Sequence, residues 1–384
     1  MKFVSAFLVV FVLGALAQTS SAPIAIKDNF GPVMFLRFSP NGGELARLCA
    51  FGPVTLFDTA SYRRARTFLT EIEQTPEMSM FAYSPDGTRI ATSDVHKGTR
   101  VWNAADPGKP DRASVQHRPD GSRFWLSVDE LYVLDTPLRV LDQDGLLTGF
   151  SRDGKLLLTM DAKGHVKVWN TTSWKVEGEP MVTGIRSSVA ALAPDGNSVM
   201  IGDTKGVLHH WSLATKAEIR TLRTFEGVGS LRTVEFSPDG KTLVGTYTWM
   251  PTPKTESAAA IIWNTTSWIA QTQGGYASAA FSQDGKLLAL GGYHGKGDIG
   301  RHIKLIEPAS RKEARDIQLP DIMTLQQYLS QVSGGETSPS AKNLPIATEK
   351  MPCLVSALAF SPDGNTHAAG CTLDGTVRLV KMVR

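Results

Sequence analysis

Seven copies of one short turn motif constrain the fold of this chain more than any other feature of its sequence. Each copy is an aromatic or apolar residue followed by Ser-Pro-Asp-Gly or a close variant. The copies lie at Phe38–Gly42, Tyr83–Gly87, Phe150–Gly154, Leu192–Gly196, Phe236–Gly240, Phe281–Gly285 and Phe360–Gly364. Proline presets φ for a turn, aspartate accepts hydrogen bonds from the backbone that follows, and glycine tolerates positive φ. The motif therefore predicts a hairpin turn that recurs along the chain.

Strand-like segments surround each of these turns. An alternating stretch precedes the turn and an apolar run follows it. A third segment ends in a bulky apolar residue, as in Val166–Asn170, and a second turn with a more polar fourth segment completes the unit. Four short strands in units of about 42–45 residues, without a helical period, predict the blades of a β-propeller.

The blade sequences resemble those of the WD40 family. The segments Val234–Gly245 and Val166–Ser173 are similar to its blade consensus, and the resemblance covers nearly all of the chain after the N-terminal segment. The Gly-His pair of that family is missing, and its Trp-Asp pair has become Trp-Asn at Trp102, Trp169 and Trp263. We therefore expect a divergent WD40-like propeller in which the family's hydrogen-bonded His–Asp tetrad is absent.

The expected fold class is all-β, with seven blades of four antiparallel strands each. The turn-to-turn spacings from Gly87 to Gly154 and from Gly285 to Gly364 are much longer than one blade. The first gap leaves room for a degenerate extra blade, so eight blades is the alternative. The last unit ends after its third strand, Val377–Lys381, and we expect Pro23–Lys27 to supply the fourth. This pairing would close the ring and remove an exposed sheet edge.

The N-terminal segment is typical of a secretory signal. Lys2 precedes an apolar run that extends from Phe3 to about Ala17, and this run is shorter than the roughly 20 residues of a membrane span. We predict a signal peptide over 1–17, with cleavage as late as residue 22 as an alternative. A single propeller domain then spans 23–384, with a loop insertion at about 320–352. The expected product is secreted or periplasmic, without stable membrane insertion after cleavage.

Charge and cysteine content exclude some classes of protein. The 40 basic and 37 acidic residues give a net charge of +3, and the basic residues are scattered, which argues against a nucleic-acid partner. Three cysteines are too few for a disulfide framework. Cys49 and Cys371 occupy similar second-strand positions of the first and seventh blades, too far apart for a disulfide. We therefore predict buried free thiols at these two positions.

The order of strands in a blade assigns each connection to one face of the ring. In a four-stranded meander with strands a to d, the a–b and c–d turns share one face, which we call the turn face. The b–c and d–a connections share the other, which we call the loop face. The sequence assigns four long segments to the loop face: Tyr247–Ser257, Gly291–His302, the stretch around Asp111–Arg139, and Pro320–Pro352. Because binding residues concentrate on variable loops held by a rigid scaffold, the loop face is the predicted interaction surface.

Seven residues in these segments are the predicted binding residues. Aromatic and arginine side chains are favoured anchors at protein interfaces, and histidine and lysine accompany them here. The predicted residues are Tyr247, Trp249, Lys254, Tyr293, His294, Arg301 and His302.

The sequence contains no recognisable catalytic motif. H-E-x-x-H, G-x-S-x-G, a Walker loop and Cys-x-x-Cys are all missing from it. His209 and His210 are adjacent on a strand, so their side chains point to opposite faces. We therefore predict no catalytic residue, no metal and no cofactor. The resemblance implies a non-enzymatic scaffold that binds another protein. The alternative is a lactonase- or hydrolase-type propeller enzyme with its site at the channel mouth, which needs convergent carboxylates or histidines there.

The hexapeptide W-N-T-T-S-W occurs twice, at Trp169–Trp174 and at Trp263–Trp268. Both copies fall at the predicted c–d turn of a blade, and the first tryptophan of each is expected to pack between blades. Each copy also contains an N-glycosylation acceptor pattern, at Asn170 and Asn264. We interpret the repeat as part of the scaffold, on the face opposite the predicted interaction surface.

Overall fold

Seven four-stranded antiparallel units form in the order that the turn motif predicts. The computed structural model describes residues 24–26, 33–49, 54–69, 78–94, 98–105, 109–111, 116–117, 123–124, 131–133, 139–142, 145–161, 163–185, 189–223, 230–252, 255–292, 301–320, 323–324, 350–351, 353–371 and 375–382. Across these ranges the secondary structure is β-strand, with no α-helix. The predicted signal segment, 1–17, lies outside the described residues.

The strands of the first half of the chain begin with β1 (Ile24–Ile26). Blade 1 contains β2 (Val33–Phe38), β3 (Glu44–Cys49), β4 (Val54–Asp58) and β5 (Arg64–Leu69). Blade 2 contains β6 (Met78–Tyr83), β7 (Arg89–Asp94), β8 (Gly98–Asn103) and, after four short strands, β13 (Arg139–Asp142). Those short strands are β9 (Lys109–Asp111), β10 (Gln116–His117), β11 (Arg123–Phe124) and β12 (Leu131–Val133). Blade 3 contains β14 (Gly145–Phe150), β15 (Leu156–Asp161), β16 (His165–Asn170) and β17 (Met181–Val182).

The second half supplies four further blades. Blade 4 contains β18 (Val189–Leu192), β19 (Ser198–Gly202), β20 (Leu208–Ser212) and β21 (Glu218–Leu222). Blade 5 contains β22 (Ser230–Phe236), β23 (Thr242–Thr252), β24 (Thr255–Asn264) and β25 (Ala270–Gly274). Blade 6 contains β26 (Tyr276–Phe281), β27 (Leu288–Gly292), β28 (His302–Ile306) and β29 (Glu313–Gln318). The pair β30 (Met323–Thr324) and β31 (Lys350–Met351) precedes blade 7, which contains β32 (Val355–Phe360), β33 (Thr366–Cys371) and β34 (Val377–Lys381).

The N-terminal strand closes the ring. Strand β1 pairs antiparallel with β34, with Ile24 opposite Leu379 and Ile26 opposite Val377, and so supplies the fourth strand of blade 7. Both the seven-blade count and the closure by the N-terminal strand are confirmed. No eighth four-stranded sheet forms in the described part of the chain.

The first long gap has a different explanation from the one predicted. The stretch around Asp111–Arg139 connects β8 to β13, the third and fourth strands of blade 2, so it leaves from and returns to the turn face. Its assignment to the loop face was wrong. Within it, β12 pairs with β9 and also runs parallel to β5, so the insertion extends blade 1 into a six-stranded sheet. It therefore covers an outer sheet edge that would otherwise be exposed.

The recurring motif forms the tight turn that its residues predict. In blade 5, Gly240 N donates to the carbonyl of Ser237 at 2.8 Å, and Gly240 has a φ of 72°. Asp239 Oδ1 accepts from the Ser237 hydroxyl at 2.6 Å and from Lys241 N at 3.0 Å. Because only glycine adopts this φ without strain, the last residue of the motif is specified by backbone geometry.

The motif also makes a contact between neighbouring blades. A Cβ built on Gly87 would lie 3.6 Å from Cδ of Pro40, in the preceding blade. The same proline–glycine contact recurs for Pro85 with Gly154, Pro194 with Gly240, Pro238 with Gly285 and Pro362 with Gly42. Arg152 and Gln283 replace the proline in blades 3 and 6, and the motif glycines of the next blades, Gly196 and Gly364, have no proline neighbour. The proline therefore both shapes its own turn and packs on the turn of the next blade.

The core lies between adjacent blades. Val234 and Phe236 of blade 5 pack with Met200 and Leu208 of blade 4, and Trp263 completes this cluster. The tryptophans that end third strands are largely inside, with exposed fractions of 2% for Trp102, 9% for Trp169 and 2% for Trp263. The prediction that the first tryptophan of each hexapeptide packs between blades is confirmed, since Trp169 packs with Ala91 of blade 2 and Trp263 with Leu208 of blade 4.

The cysteine prediction was wrong for Cys371. Cys353 and Cys371 form a disulfide with a Cα–Cα distance of 5.1 Å, while Cys49 is a buried free thiol. The two bonded cysteines lie in one blade, since Cys371 stands opposite Val355 in the β32–β33 ladder and Cys353 precedes Val355 by two residues. Sequence reasoning compared equivalent positions in different blades and so overlooked a partner just before the first strand of the same blade.

The repeated hexapeptide forms the c–d turn of blades 3 and 5. The second tryptophan of each copy has a positive φ, 54° at Trp174 and 58° at Trp268. The Arg89 guanidinium, from blade 2, lies 4.8 Å from the ring centroid of Trp174. The Arg220 guanidinium, from blade 4, lies 4.6 Å from that of Trp268. Each copy therefore joins its blade to the preceding one, as expected of a scaffold element.

We expect Trp268→Ala to lower the free energy of unfolding by about 1–2 kcal/mol, since it removes an aromatic ring and a cation–π contact between blades. Lys216 occupies the same turn position of blade 4, with a φ of 53° and an exposed side chain, and provides the matched control Lys216→Ala. The control should change stability by less than about 0.5 kcal/mol. The free energy of unfolding is measured by urea denaturation. If both variants lose the same amount, the ring contact does not contribute to stability.

Candidate functional site

The most prominent element on the loop face is a long hairpin in blade 5. Strand β23 has 11 residues and β24 has 10, whereas the second strands of the other six blades have five or six. The two strands stay paired from Thr242 opposite Asn264 to Thr252 opposite Thr255. At about 3.3 Å per residue, the hairpin extends roughly 15 Å beyond the ends of the other second strands. The predicted loop Tyr247–Ser257 is therefore mainly a β-hairpin.

Three predicted binding residues fall within the segment Tyr247–Ser257. Tyr247 has an exposed fraction of 0% and packs in the core cluster that includes Trp263. A Cβ on Gly245 would lie only 3.2 Å from the Tyr247 ring. The absence of a side chain at Gly245 therefore provides room for this ring. Tyr247 therefore lies in the interior and leaves the candidate surface. Trp249 is partly exposed, opposite Ser257. Lys254 lies outside the described residues.

Blade 6 supplies the neighbouring part of the loop face. Arg301 and His302 are both partly exposed at the start of β28. His302 Nδ1 lies 2.9 Å from Asp316 Oδ1 and 3.0 Å from Asp316 Oδ2, which fixes the imidazole against β29. Burial raises the pKa of Tyr276, and the carboxylates of Asp316 and Glu313 act in the same direction. The predicted residues Tyr293 and His294 lie outside the described residues.

The two ends of the long insertion before blade 7 are packed in the core next to these residues. Leu319 and Cys353, at its two ends, each have an exposed fraction of 0% and belong to one core cluster. Leu319 N donates to the carbonyl of Arg301 at 2.7 Å. The short strands β30 and β31 pair with each other, and the disulfide from Cys353 joins the base to β33. Strands of blades 5, 6 and 7 contact one another in sequence, so the three loop-face elements are neighbours.

Charged residues occupy one position of the first strands in two of the seven blades. This position directly precedes the aromatic or apolar residue of the turn motif and lies on the first strand of each blade. The residues at this position are Arg37, Ala82, Gly149, Ala191, Glu235, Ala280 and Ala359. Five are alanine or glycine, and the other two carry opposite charges. Burial raises the pKa of Glu235 to about 7, and the Arg37 guanidinium acts in the opposite direction. The two charges are visible in the sequence at a position that is otherwise alanine or glycine, but the turn motifs alone did not single them out.

The described residues hold no metal-type cluster, since no three histidines, cysteines, aspartates or glutamates converge in these parts of the chain. His209 lies 2.7 Å from Glu218 through Nδ1, whereas His210 lies 2.9 Å from Ser198 through Nε2. The two histidines therefore face different neighbours. None of the described segments forms a helix with the length and apolarity that a membrane crossing needs.

Comparisons with known proteins agree with this architecture. The family model described as WD domain, G-beta repeat matches residues 347–381, which cover the first three strands of blade 7. The chain is 25% identical over 53% of its length to cilia- and flagella-associated protein 52 of Chlamydomonas reinhardtii. It is 28% identical over 44% of its length to serine-threonine kinase receptor-associated protein of Gallus gallus. These alignments span 28% and 46% of the two relatives, so the chain matches less than half of each. With seven four-stranded blades and a recurring turn motif, the chain is a seven-bladed β-propeller whose blades are similar to WD40 repeats.

Proposed function

We propose that this propeller is a non-enzymatic scaffold that binds another protein through its loop face, on blades 5, 6 and 7. The observation that carries the proposal is the β23–β24 hairpin, which rises from one blade of an otherwise regular ring. The propeller fold is typical of protein interaction scaffolds, and an element that the ring does not need for closure is available for recognition. The partner is a protein whose surface accommodates the hairpin beside blade 6.

The chemistry of the exposed residues supports a protein partner. Trp249 offers an aromatic side chain on the hairpin, and Arg301 offers a guanidinium on the adjoining blade. These two residue types dominate binding energy at protein interfaces. The His302–Asp316 pair lies beside Arg301 and adds a polar rim. An apolar anchor with mixed charges around it fits a protein surface better than a uniformly charged polymer.

We further propose that the protein is exported to the periplasm or secreted. The support is the N-terminal sequence, with Lys2 before an apolar run, together with the Cys353–Cys371 disulfide. Disulfides persist in oxidising compartments and are rare in the reducing cytosol. N-terminal sequencing of the protein from its host tests the proposal. A mature terminus at Gln18 or Pro23 supports export, and retention of Met1 on the folded protein contradicts it.

The binding proposal is tested by the double variant Trp249→Ala with Arg301→Ala. Each anchor of this kind contributes about 1–2 kcal/mol, so we expect the affinity for the captured partner to fall at least roughly tenfold. The wild-type protein is first used to capture partners from an extract of its host, and the partner identified by mass spectrometry is then titrated against each variant. The readout is the dissociation constant.

A matched control uses the opposite face. Ile269 and Arg63 are exposed on the turn face, in blades 5 and 1, and Ile269→Ala with Arg63→Ala removes the same two kinds of side chain, one large apolar and one guanidinium. This variant should bind the partner as the wild type does. The proposal is wrong if the loop-face variant keeps full affinity, or if the turn-face variant loses as much.

A further inference from the structure

One position of the c–d turn carries an aromatic ring that fills the joint with the preceding blade. The residue is Tyr62 in blade 1, Trp174 in blade 3 and Trp268 in blade 5, and each has a positive φ. Each ring packs against the core cluster that its blade shares with the preceding one. Each also lies near a cationic group of that blade; for Tyr62 this group is Lys381, with Nζ 5.8 Å from the ring centroid. We call the residue at this position the joint residue.

Arg311 is the joint residue of blade 6. It has the same backbone geometry, with a φ of 58°, and its N–H donates to the carbonyl of Glu307 as the N–H of Trp268 does to the carbonyl of Asn264. Its side chain reaches blade 5, where Nη2 donates to the carbonyl of Ile269 at 3.0 Å. The joint between blades 5 and 6 therefore holds a guanidinium on a flexible stem in place of a ring.

A cleft of about 480 Å³, open to solvent, lies at this joint. Its floor includes Ile262, which is buried and belongs to the core cluster shared by blades 5 and 6. The cleft therefore reaches the apolar interior between the two blades. Its lining includes Thr242, Ile262, Asn264 and Ile269 of blade 5 and Pro308 and Arg311 of blade 6.

The position of the cleft corresponds to that of the ring in the other joints. Arg89, which contacts the ring of blade 3, is the first residue of the second strand of blade 2, and Thr242 is the first residue of the second strand of blade 5. Lys381, which contacts the ring of blade 1, is the last residue of the third strand of blade 7, and Asn264 is its equivalent in blade 5. Because Thr242 and Asn264 both line the cleft, the open space lies where a ring would be expected.

The rim of the cleft offers hydrogen-bond donors and one positive charge. Within the described part of the chain, the bond to Ile269 is the only one that the Arg311 guanidinium makes, so its other N–H groups are available. Asn264 Oδ1 accepts from the N–H groups of Thr266 and Ser267, while its amide NH2 group has no partner among the described residues. No described aspartate or glutamate lines the cleft. An anionic acceptor is therefore the complementary group on a ligand.

We propose that this cleft binds a small aromatic carboxylate, with its ring in the place of the missing joint ring and its carboxylate on Arg311. Burial of a flat ring against apolar side chains supplies binding energy, as the joint rings do in the other blades. A planar guanidinium matches a carboxylate in two parallel hydrogen bonds. A neutral ring leaves the charge of Arg311 unpaired, and an aliphatic carboxylate leaves the joint unfilled. A ligand with both groups satisfies the whole cleft.

The cleft is separate from the proposed protein-binding surface. The c–d turns lie on the turn face, whereas the β23–β24 hairpin extends from the loop face. Failure of one proposal therefore leaves the other standing.

Isothermal titration of the full chain with indole-3-acetate tests the proposal, with indole-3-acetamide and acetate as probes that keep only the ring or only the charge. We expect saturable binding of indole-3-acetate at about pH 7, where its carboxylate is ionised, at least roughly tenfold tighter than that of either other probe. Arg311→Gln should weaken this binding roughly tenfold, because it removes the charge-assisted hydrogen bonds. Lys216 is the joint residue of blade 4, and the matched control Lys216→Gln should leave the binding unchanged.

A variant that fills the cleft separates loss of the site from loss of the fold. Arg311→Trp places in blade 6 the indole that blades 3 and 5 carry, and the φ of 58° is the value that Trp268 already adopts. This variant should lose indole-3-acetate binding while its urea midpoint rises above that of the wild type. Undiminished binding by folded Arg311→Trp would overturn the proposal, and so would equal losses in Arg311→Gln and Lys216→Gln. Indole-3-acetamide that binds as tightly as the acid, or no saturable binding by the wild type, would also overturn it.

Discussion

Replacing both Cys353 and Cys371 with alanine should lower the free energy of unfolding by about 3 kcal/mol. The disulfide joins residues separated by 18 positions, and closing a loop of that size restricts the unfolded chain by about this amount. The same loss is expected when the wild-type protein is reduced before urea denaturation. Reduction should not destabilise the double variant further, because no bond remains to break.

The free thiol Cys49 provides the control for this experiment. It is as buried as the bonded pair, with an exposed fraction of 2%, but forms no disulfide. Cys49→Ala therefore measures the cost of removing a buried sulfur alone, which we expect to be about 1 kcal/mol. If Cys49→Ala costs as much as the double variant, the contribution belongs to packing rather than to the covalent bond.

The loss of stability in the double cysteine variant should be largest near the insertion that precedes blade 7. Cys353 follows β31 by two residues, and the disulfide fixes that end of the insertion to β33. Hydrogen exchange at Lys350 and Met351 should accelerate in the double variant more than exchange at the second strand of blade 4. Uniform acceleration across both blades would mean that the bond stabilises the whole ring and does not hold the insertion in particular.

The fold was predictable because the information for it is local and repeated. A turn such as Ser237–Gly240 specifies its own geometry through a hydroxyl, a carboxylate and a positive-φ glycine. Seven such turns set the number of blades, and the strand order then assigns each connection to a face. The closure by β1 also followed, since a blade with three strands at one end needs a fourth from the other.

What the sequence did not reveal depends on contacts between distant segments. The β23–β24 hairpin contains Pro251, yet the strands pair on both sides of it, Trp249 with Ser257 and Thr252 with Thr255. The stretch around Asp111–Arg139 was placed on the wrong face because the fourth strand of blade 2, β13, comes at its end, so the stretch connects the third and fourth strands of that blade.

His367 should make the protein sensitive to mild acid. It has an exposed fraction of 0%, its ring centroid lies 4.2 Å from that of Phe360, and neither ring nitrogen has a hydrogen-bond partner in the described part of the chain. Burial lowers the pKa of His367 to about 4, and the positive charge of Arg315 acts in the same direction. As pH falls from 6.5 towards 4, the unfolded chain binds a proton here that the folded protein does not. Stability should therefore fall by about 3 kcal/mol over this window.

Glu235 should act in the opposite direction over much of the same range. Its pKa is about 7 in the folded protein and near the usual glutamate value of 4.5 in the unfolded chain, so the folded state binds more protons between these values. The contribution of Glu235 to the free energy of unfolding is fully present below pH 4.5 and is lost as pH rises towards 7. The turn aspartates have lowered pKa values. For Asp284 the cause is hydrogen bonds donated by the Ser282 hydroxyl and the Lys286 N–H. Their contribution to the free energy of unfolding is therefore lost only below about pH 4.

The two titrations therefore offset each other in the wild type between pH 4.5 and 6.5, and single variants should separate them. His367→Phe should become less stable as pH rises through this window, because only the Glu235 contribution remains. Glu235→Gln should become more stable as pH rises, because only the His367 contribution remains. Free energies of unfolding from urea titrations at several pH values check both slopes, and the double variant should be nearly flat. Parallel curves for all four proteins would show that neither buried group controls the pH dependence, since linkage requires each removed titration to change the slope over its own window.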